Sequence, residues 1–558
     1  MPEHPFNTLK HYWRQYPLLG TATVCCLSAL AYAWWIAAPT FTDPDSFYHI
    51  QMTQLIMKHH RAVTNFVWLP YTTLAHSYVD HHFLYHIFLI PFFLVFNAVL
   101  GMKIATVVLA ASTSVLFYLV LRSLNVRYSF LFTLLLITTE GFSFRIGLSK
   151  APSFSFLFMM AGAYAIIHYK PKLIAILSFF FVWSYGGFLL MLILTGVHAS
   201  VGFLRAYLRG VPLTRQEKKE RLVMVTGAFS GTLMGLLIHP SFPQHLRFYW
   251  EQIIQIGLVN YRGVIGVGGE WYPANVPNLI GEHTIFFLVL IISMIAFGFT
   301  AGKQRAYSWT IGGMFFFFFV FTLKSQRYIE YAMPWGYLFS ACALQESGWL
   351  NHVHHVVQRA LYRSTAHVFT LSAALLLIAY GLFIIPGMMI DTSLNLEHDL
   401  HRGRSVDEFA AVGKWLRDHS TTGDIVFHSD WDEFPALFYQ VPKDRFIAGL
   451  DPTFFYREHP ADNDLYWEWV NITTGKQSDQ LLETLQQHFH ARFVFIADGH
   501  NSMRANFIRD GRFRKVYEDD EATIFRVPRR AQDVEQSQTA DDTPITPVSP
   551  VPESNPAL

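Results

Sequence analysis

"YAWWIAAPTFTDPDSFYHIQ", residues 32–51, decides how the rest of the chain reads. Its left half closes an apolar run that starts near residue 17, and Trp34-Trp35 has the look of an interfacial aromatic anchor. That run, about 22 residues long, can cross ~30 Å of hydrocarbon and exceeds the apolar core of a cleavable signal peptide. The right half sets two aspartates, Asp43 and Asp45, where a membrane helix emerges into water.

Composition extends this to the whole molecule. Of 558 residues, 52% are hydrophobic and only 15% charged, with a mean hydropathy of +0.25. A soluble domain is nearer about one-quarter charged. A net charge of +1 gives no reason to expect nucleic acid as a partner. Cys25, Cys26 and Cys342 all fall inside apolar runs, so the long water-facing stretches hold no disulfide.

Further apolar runs lie near 83–101, 104–121, 128–140, 153–168, 172–184, 186–204, 222–238, 284–300, 307–323, 329–344 and 366–388. Basic clusters at Lys10/Arg14, Arg122/Arg127, Lys170/Lys172, Arg205–Arg221, Lys303/Arg305 and Arg359/Arg363 share one side only if 83–101 does not cross. With that run re-entrant or interfacial, about eleven spans remain and the basic loops stay cytoplasmic. The expected fold is a polytopic α-helical membrane domain over 1–388 with external loops 39–103 and 239–283. It is followed by an extracytoplasmic α/β domain over 389–530 and a Pro/Ser-rich disordered tail, 531–558. In the α/β part, "SVDEFAAVGKWLRDH" opens on a Ser405-x-x-Glu408 capping box. Strands are expected at 424–429, 445–450, 492–497 and 521–527, with a helix near 478–489. The expected setting is a multi-pass protein of the inner (plasma) membrane.

The external face collects the oddest residues for such a chain: the acidic pair, "FRIGLSKAPS", "GGEWYPANV" and "LKSQRYIEY". Charge near a membrane is costly and marks function. An Asp-x-Asp pair suits a hard divalent cation such as Mg²⁺ or Mn²⁺; equally, Asp before "SFYHIQMTQLI" suits a helix cap. "DHHFLYH" sets His82 and His86 four apart, a spacing that can hold zinc or simply anchor a helix at an interface. "NIT" at 471–473 is a glycosylation sequon by pattern.

Over about residues 20–460 the chain resembles the catalytic subunits of oligosaccharyltransferases, within the GT-C class of membrane glycosyltransferases that use polyprenyl-phosphate-linked sugars. The resemblance is carried in order by "LRSLNVRYSFLFTLLLITTEGFSFR", "FVWSYGGFLLMLIL", "GVGGEWYPANV", "LKSQRYIEYAMPWGYLFSA" and "GDIVFHSDWDEFPALFYQVPKDRFIAGLDPTFF". It implies that Asp45 matches the first metal-binding aspartate, Glu270 the external-loop glutamate and Arg327 the phosphate-contacting arginine. Arg145 matches the arginine before a second acidic pair, and Trp431 and Asp432 the centre of a Trp-Trp-Asp-Tyr-Gly signature. Each also has a plainer reading: Glu270 as a solvated turn residue, Arg327 as an interfacial anchor, Trp431 as core and Asp432 as a cap. The second acidic pair is missing, and "GLSKAPSFSF" has Lys150 instead; the signature is reduced to Ser429-Asp430-Trp431-Asp432-Glu433.

The resemblance thus implies a glycosyltransferase that moves a sugar from a polyprenyl-phosphate donor to a glycan, lipid or protein acceptor. Asp45 and Glu270 are the expected catalytic carboxylates, and with Asp43 they would ligate a divalent cation. Arg145, Lys150, Arg327, Trp431 and Asp432 would bind substrate. Without the second acidic pair, a hydroxyl acceptor is favoured over an amide. The alternative is non-enzymatic: an inactive relative, or a transporter or flippase of polyprenyl-linked glycans.

Overall fold

The computed structural model describes residues 17–300, 305–351, 385–458 and 464–528. The expected run 366–388, for all but its last residues, and the tail 531–558 lie outside the described residues. The chain divides into two units. The first takes in residues up to 66, 73–408 and 450–454; the second takes in 67–72, 409–449 and the residues from 455 onward.

The first unit is helical. Helix α1 (Pro17–Trp35) leads into strand β1 (Thr40–Phe41), which pairs antiparallel with β2 (Arg404–Ser405). Helix α2 (Asp45–His59) starts directly after Pro44, and the Asp43 carboxylate accepts the Asp45 backbone N–H at 3.0 Å. Proline pre-sets the first turn and the Asx contact fixes where Asp45 sits. Helix α3 (Phe83–Val95) has 13 residues with Pro91 inside it, about 20 Å of helix, too short to cross a bilayer. Asn97 then caps α4 (Ala98–Ser123) by accepting the Leu100 N–H.

Next come α5 (Ser129–Ile137) and α6 (Glu140–Gly147), bent by 69° at their junction, then α7 (Pro152–Ile167), α8 (Pro171–Val182) and α9 (Leu189–Leu208). Helix α10 (Arg215–Leu237) opens on a Thr214/Glu217 capping box. After the loop 239–283 come α11 (Thr284–Thr300), α12 (Ala306–Lys324), α13 (Ile329–Glu346) and α14 (Ile385–His401). Every residue of α13 from Glu330 to Leu344 is buried, as expected of a helix apolar on all faces. It is the post around which the unit packs.

The molecule is a multi-pass membrane protein. Among the described residues four helices are long and apolar enough to cross (Leu18–Trp35, Ala98–Ser123, Leu189–Leu208, Tyr307–Lys324), or six with the two bent pairs counted as spans. The gap from the expected eleven lies in part in helices such as α7 and α8, which are apolar but short.

The second unit holds a five-stranded mixed sheet in the order β4-β3-β5-β7-β6. Its strands are β3 (Ile425–His428), β4 (Arg445–Phe446), β5 (Ala491–Ala497), β6 (Arg514–Glu518) and β7 (Ala522–Arg526). Strand β3 runs parallel to β4 and β5, and β7 antiparallel to β5 and β6. Strand β6 has no counterpart among the expected strands. The expected capping box at Ser405 does not form. Ser405 pairs with Thr40 in the β1–β2 ladder, Glu408 accepts from Arg404 at 2.6 Å, and the helix starts only at Ala410. Backbone pairing outcompetes the local cap.

Candidate functional site

Six of the expected site residues meet in the first unit. Arg145 comes from the last turn of α6, and Lys150 from the short link before Pro152 opens α7. Glu270 sits in a single 3₁₀ turn, Gly269–Trp271, of the loop 239–283. That turn is clamped to the segment before α13: Ser325 Oγ donates to the Glu270 carbonyl and Gln326 Nε2 to the Gly269 carbonyl, both at 2.8 Å. Arg327 lies in the same segment, with its guanidinium 4.4 Å above the centre of the Trp271 ring.

Glu270 is the hub. Its Oε1 takes Arg327 Nη1 at 2.8 Å, and its Oε2 takes Arg145 Nη1 at 2.7 Å with Lys150 Nζ at 3.8 Å. Lys150 reaches Asp43 at 2.5 Å and Asp45 at 3.8 Å, and Arg145 reaches Glu330 at 2.8 Å. Three cations therefore face four carboxylates. Burial pushes the Glu270 carboxyl up, but Arg327, Lys150 and Arg145 outweigh it and hold it well below the usual carboxylate range. Burial opposes the charge on Lys150, yet Asp43, Glu270 and Asp45 keep its ammonium more firmly protonated than usual. Asp45 leaves 37% of its side chain open to the cavity. Desolvation and the Asp43 carboxylate beside it push its carboxyl up to about 7, against the pull of Lys150. A protonated Asp45 brings the cluster to three charges against three.

The cluster borders a cavity of about 360 Å³. Asp45, Lys150, Glu270, Arg327, Glu330 and Tyr185 supply polar lining, and Leu190, Ile193, Ile254, Phe317 and Phe321 are among the apolar lining residues. Arg327 Nη2 donates to Tyr185 Oη at 3.2 Å.

Trp431 and Asp432 belong to the second unit. They lie in a 3₁₀ turn where Asp430, not Asp432, is the cap, in a capping box with Glu433. Residues not singled out from the sequence are Tyr185, Trp271, Glu330 and Asp451, all on the cavity wall. All four sit inside stretches that carried the resemblance, but a tyrosine beside two glycines or a glutamate in an apolar helix carries no signal of its own. Of the His82/His86 pair, His86 has both ring nitrogens engaged, by Asp80 and by His49.

The carboxylates expected to ligate a divalent cation do not fit one as arranged. Among the described residues no group of three or more His, Cys, Asp or Glu side chains is placed to hold a metal. The physical reason is Lys150, whose ammonium lies within 3.8 Å of Asp43, Asp45 and Glu270 alike, where a cation would have to sit.

No family model matches the sequence, and no curated protein is similar to it. Solved structures are similar in fold. The oligosaccharyltransferase of Archaeoglobus fulgidus in its apo form aligns at a TM-score of 0.62 and 11% identity, over 94% of this chain and 75% of that one. The same archaeal enzyme, AglB, in complex with an inhibitory peptide and a dolichol-phosphate aligns at 0.61 and 12%, over 93% and 75%. ArnT from Cupriavidus metallidurans bound to undecaprenyl phosphate aligns at 0.53 and 12%, over 91% and 98%. The chain has the fold these GT-C glycosyltransferases share.

Proposed function

We propose that the protein is a membrane glycosyltransferase that takes its sugar from a polyprenyl-phosphate-linked donor in the inner membrane and works on the extracytoplasmic face. The observation that carries this is the pairing of Lys150 and Arg327 with a largely apolar cavity lining. An anionic head on an apolar tail is the ligand such a cavity suits, and two of the structures similar in fold hold a polyprenyl-type phosphate. A free phosphate would not use the apolar walls.

Glu270 holds Arg145, Arg327 and Lys150 in a fixed array, so the array pays little reorganisation when phosphate arrives. Arg327, stacked on Trp271 and bonded to Tyr185, presents its planar fork for bidentate contact. Lys150 neutralises charge on the departing oxygen, the role a Mg²⁺ or Mn²⁺ ion was expected to fill. Asp45, the most open of these carboxylates, hydrogen-bonds the incoming sugar or acceptor, and Glu330 has a buried Oε1 with no protein partner among the described residues to do the same. Trp431 and Asp432 have no part in this reading.

Binding tests it without knowledge of the sugar. Purified protein in nanodiscs should bind undecaprenyl phosphate. Arg327→Ala should weaken binding by roughly 10-fold or more, the size of one lost charge-assisted contact, and Arg327→Lys should recover only part. Chelation should leave the affinity unchanged. Loss of binding on chelation would reinstate the divalent ion; unaltered binding by Arg327→Ala would make Arg327 a structural partner of Glu270 and nothing more.

A further inference from the structure

The histidine-rich stretch "DHHFLYH" is not used by the phosphate site, yet its His81 and His82 line the same cavity. Asp80 is buried and accepts a hydrogen bond from His86 Nδ1 at 2.9 Å; His86 is fully buried, and its Nε2 lies 2.8 Å from Nδ1 of His49. The chain of contacts has one self-consistent proton assignment with neutral rings. Asp80 is an acceptor, so His86 carries its proton on Nδ1 and accepts at Nε2, and His49 must then carry its proton on Nδ1. Nε2 of His49 is left with a lone pair, and its ring makes its one hydrogen bond among the described residues through Nδ1. His49 is also the one member of the three that lines the cavity. It stands one helical turn after Asp45 on α2, so both residues share the face of the helix turned to the cavity. The His49 ring is wedged edge-on by His82 at 5.1 Å and Tyr85 at 5.0 Å between centroids, which fixes its orientation.

We infer that Asp80, His86 and His49 form a proton relay, and that Nε2 of His49 is the general base that takes the proton of a hydroxyl acceptor in the cavity. This rests on the glycosyl-transfer reading and sharpens it, since it names the acceptor class. In the step, the acceptor oxygen bonds to the anomeric carbon while that carbon's bond to the phosphate oxygen breaks. The electron pair leaves with the polyprenyl phosphate, and the acceptor proton goes to His49 Nε2. The positive charge is shared down the chain as His49 passes its Nδ1 proton toward His86, and His86 its own toward Asp80. Burial, reinforced by His86, Lys150 and His81, keeps the His49 ring neutral at rest. Negative charge building on the phosphate beside Lys150 offsets that cation as the bond breaks, raising the basicity of His49 when it is needed. Glu270, locked by three cations, is unsuited to the role. Asp45 lacks any partner that would relay a proton onward. His49 is thus the catalytic base, with His86 and Asp80 positioning residues.

The experiment uses full-length protein in nanodiscs, a panel of synthetic polyprenyl-phosphate-linked hexoses and pentoses, and two acceptors: methanol, which must lose a proton, and azide, which carries none. His49→Gln should lower transfer to methanol by about 10²-fold, the lower end of what a general base contributes, and leave transfer to azide within about threefold of wild type. Asp80→Asn, outside the cavity, should show the same split at about 10-fold. Both variants should bind undecaprenyl phosphate as wild type does, which checks folding. Methanol transfer at the wild-type rate in both variants overturns the relay while leaving glycosyl transfer in place. Equal losses with methanol and azide make His49 structural and overturn it too. If wild type binds undecaprenyl phosphate but consumes no donor in the panel with either acceptor, the transfer reading fails and the relay falls with it.

Discussion

Lys150 shows how one residue can change what a site needs. The neighbouring carboxylates Asp43, Asp45 and Glu270 would repel one another strongly in an enclosed site, and an ammonium within 3.8 Å of all three removes that cost. Asp45 is left the least compensated of the three, and its carboxyl is pushed up to about 7. The sign of the consequence follows from proton linkage. The folded protein holds the Asp45 proton up to about pH 7, whereas the unfolded chain releases it near the ordinary 3.8. The folded state therefore binds more protons across that window, and this residue's contribution to stability declines as pH rises from about 4 to 7. Asp45→Asn removes the term. The Tm of the variant relative to wild type should rise across that pH range and level off above it, measured by intrinsic fluorescence in detergent. A constant difference would mean that Asp45 titrates normally.

At the scale of elements, the site depends on helices meeting closely enough to hold their ends in place. Gly227, Gly231 and Gly235 of α10, four apart, face α8. A side-chain carbon at 227 would come 3.1 Å from the Pro171 carbonyl oxygen, one at 235 would come 2.8 Å from that of Phe179, and one at 231 would fall on that of Ala175. Small residues at this spacing let two helix backbones touch, and in lipid such packing replaces the hydrophobic drive that water supplies. Trp183 at the end of α8 adds a hydrogen bond from Nε1 to the Gly235 carbonyl at 2.9 Å, just before Tyr185 enters the site. Gly231→Leu should destabilise the protein by about 1–3 kcal/mol or more, through overpacking with no room to relax. Gly196→Ala on α9, where a side-chain carbon meets nothing within 4 Å, should be neutral or stabilising by up to ~1 kcal/mol. Thermal unfolding of the two purified variants makes the comparison; equal Tm values would mean that the α8–α10 contact is loose.

At the scale of the whole molecule, the charge of the short loops predicts sidedness. Basic short loops are retained in the cytoplasm, so the segment around Arg205–Arg221 should be inside and the second unit outside. Ser420 is a poor reporter because it is buried and donates to Asp444 at 2.9 Å; its neighbour Thr421 is exposed. In a variant with Cys25, Cys26 and Cys342 replaced by serine, an impermeant maleimide added to intact cells should label Thr421→Cys and spare Gln216→Cys. The reverse pattern would turn the molecule over and move the cavity to the cytoplasmic face.

The membrane class, and the six residues Asp43, Asp45, Arg145, Lys150, Glu270 and Arg327 that the fold gathers into one cluster, were legible in the sequence. Apolar run length and the scarcity of charge are local properties, and an ionisable residue beside a membrane stands out without coordinates. Three things were decided by tertiary structure. Ser405 and Glu408 spell a cap but enter a ladder and an ion pair, because a strand from residue 40, distant in sequence, competes for them. The Asp-x-Asp pair spells a metal site but receives an ammonium, because α7 begins where Lys150 can reach it. His82 and His86 spell a metal pair by their spacing, yet His86 bonds Asp80 and His49, and the second of these comes from another helix. In each case sequence determines which groups are present, while the partner that settles their chemistry arrives from another part of the chain, and only the packed fold brings it within hydrogen-bonding distance.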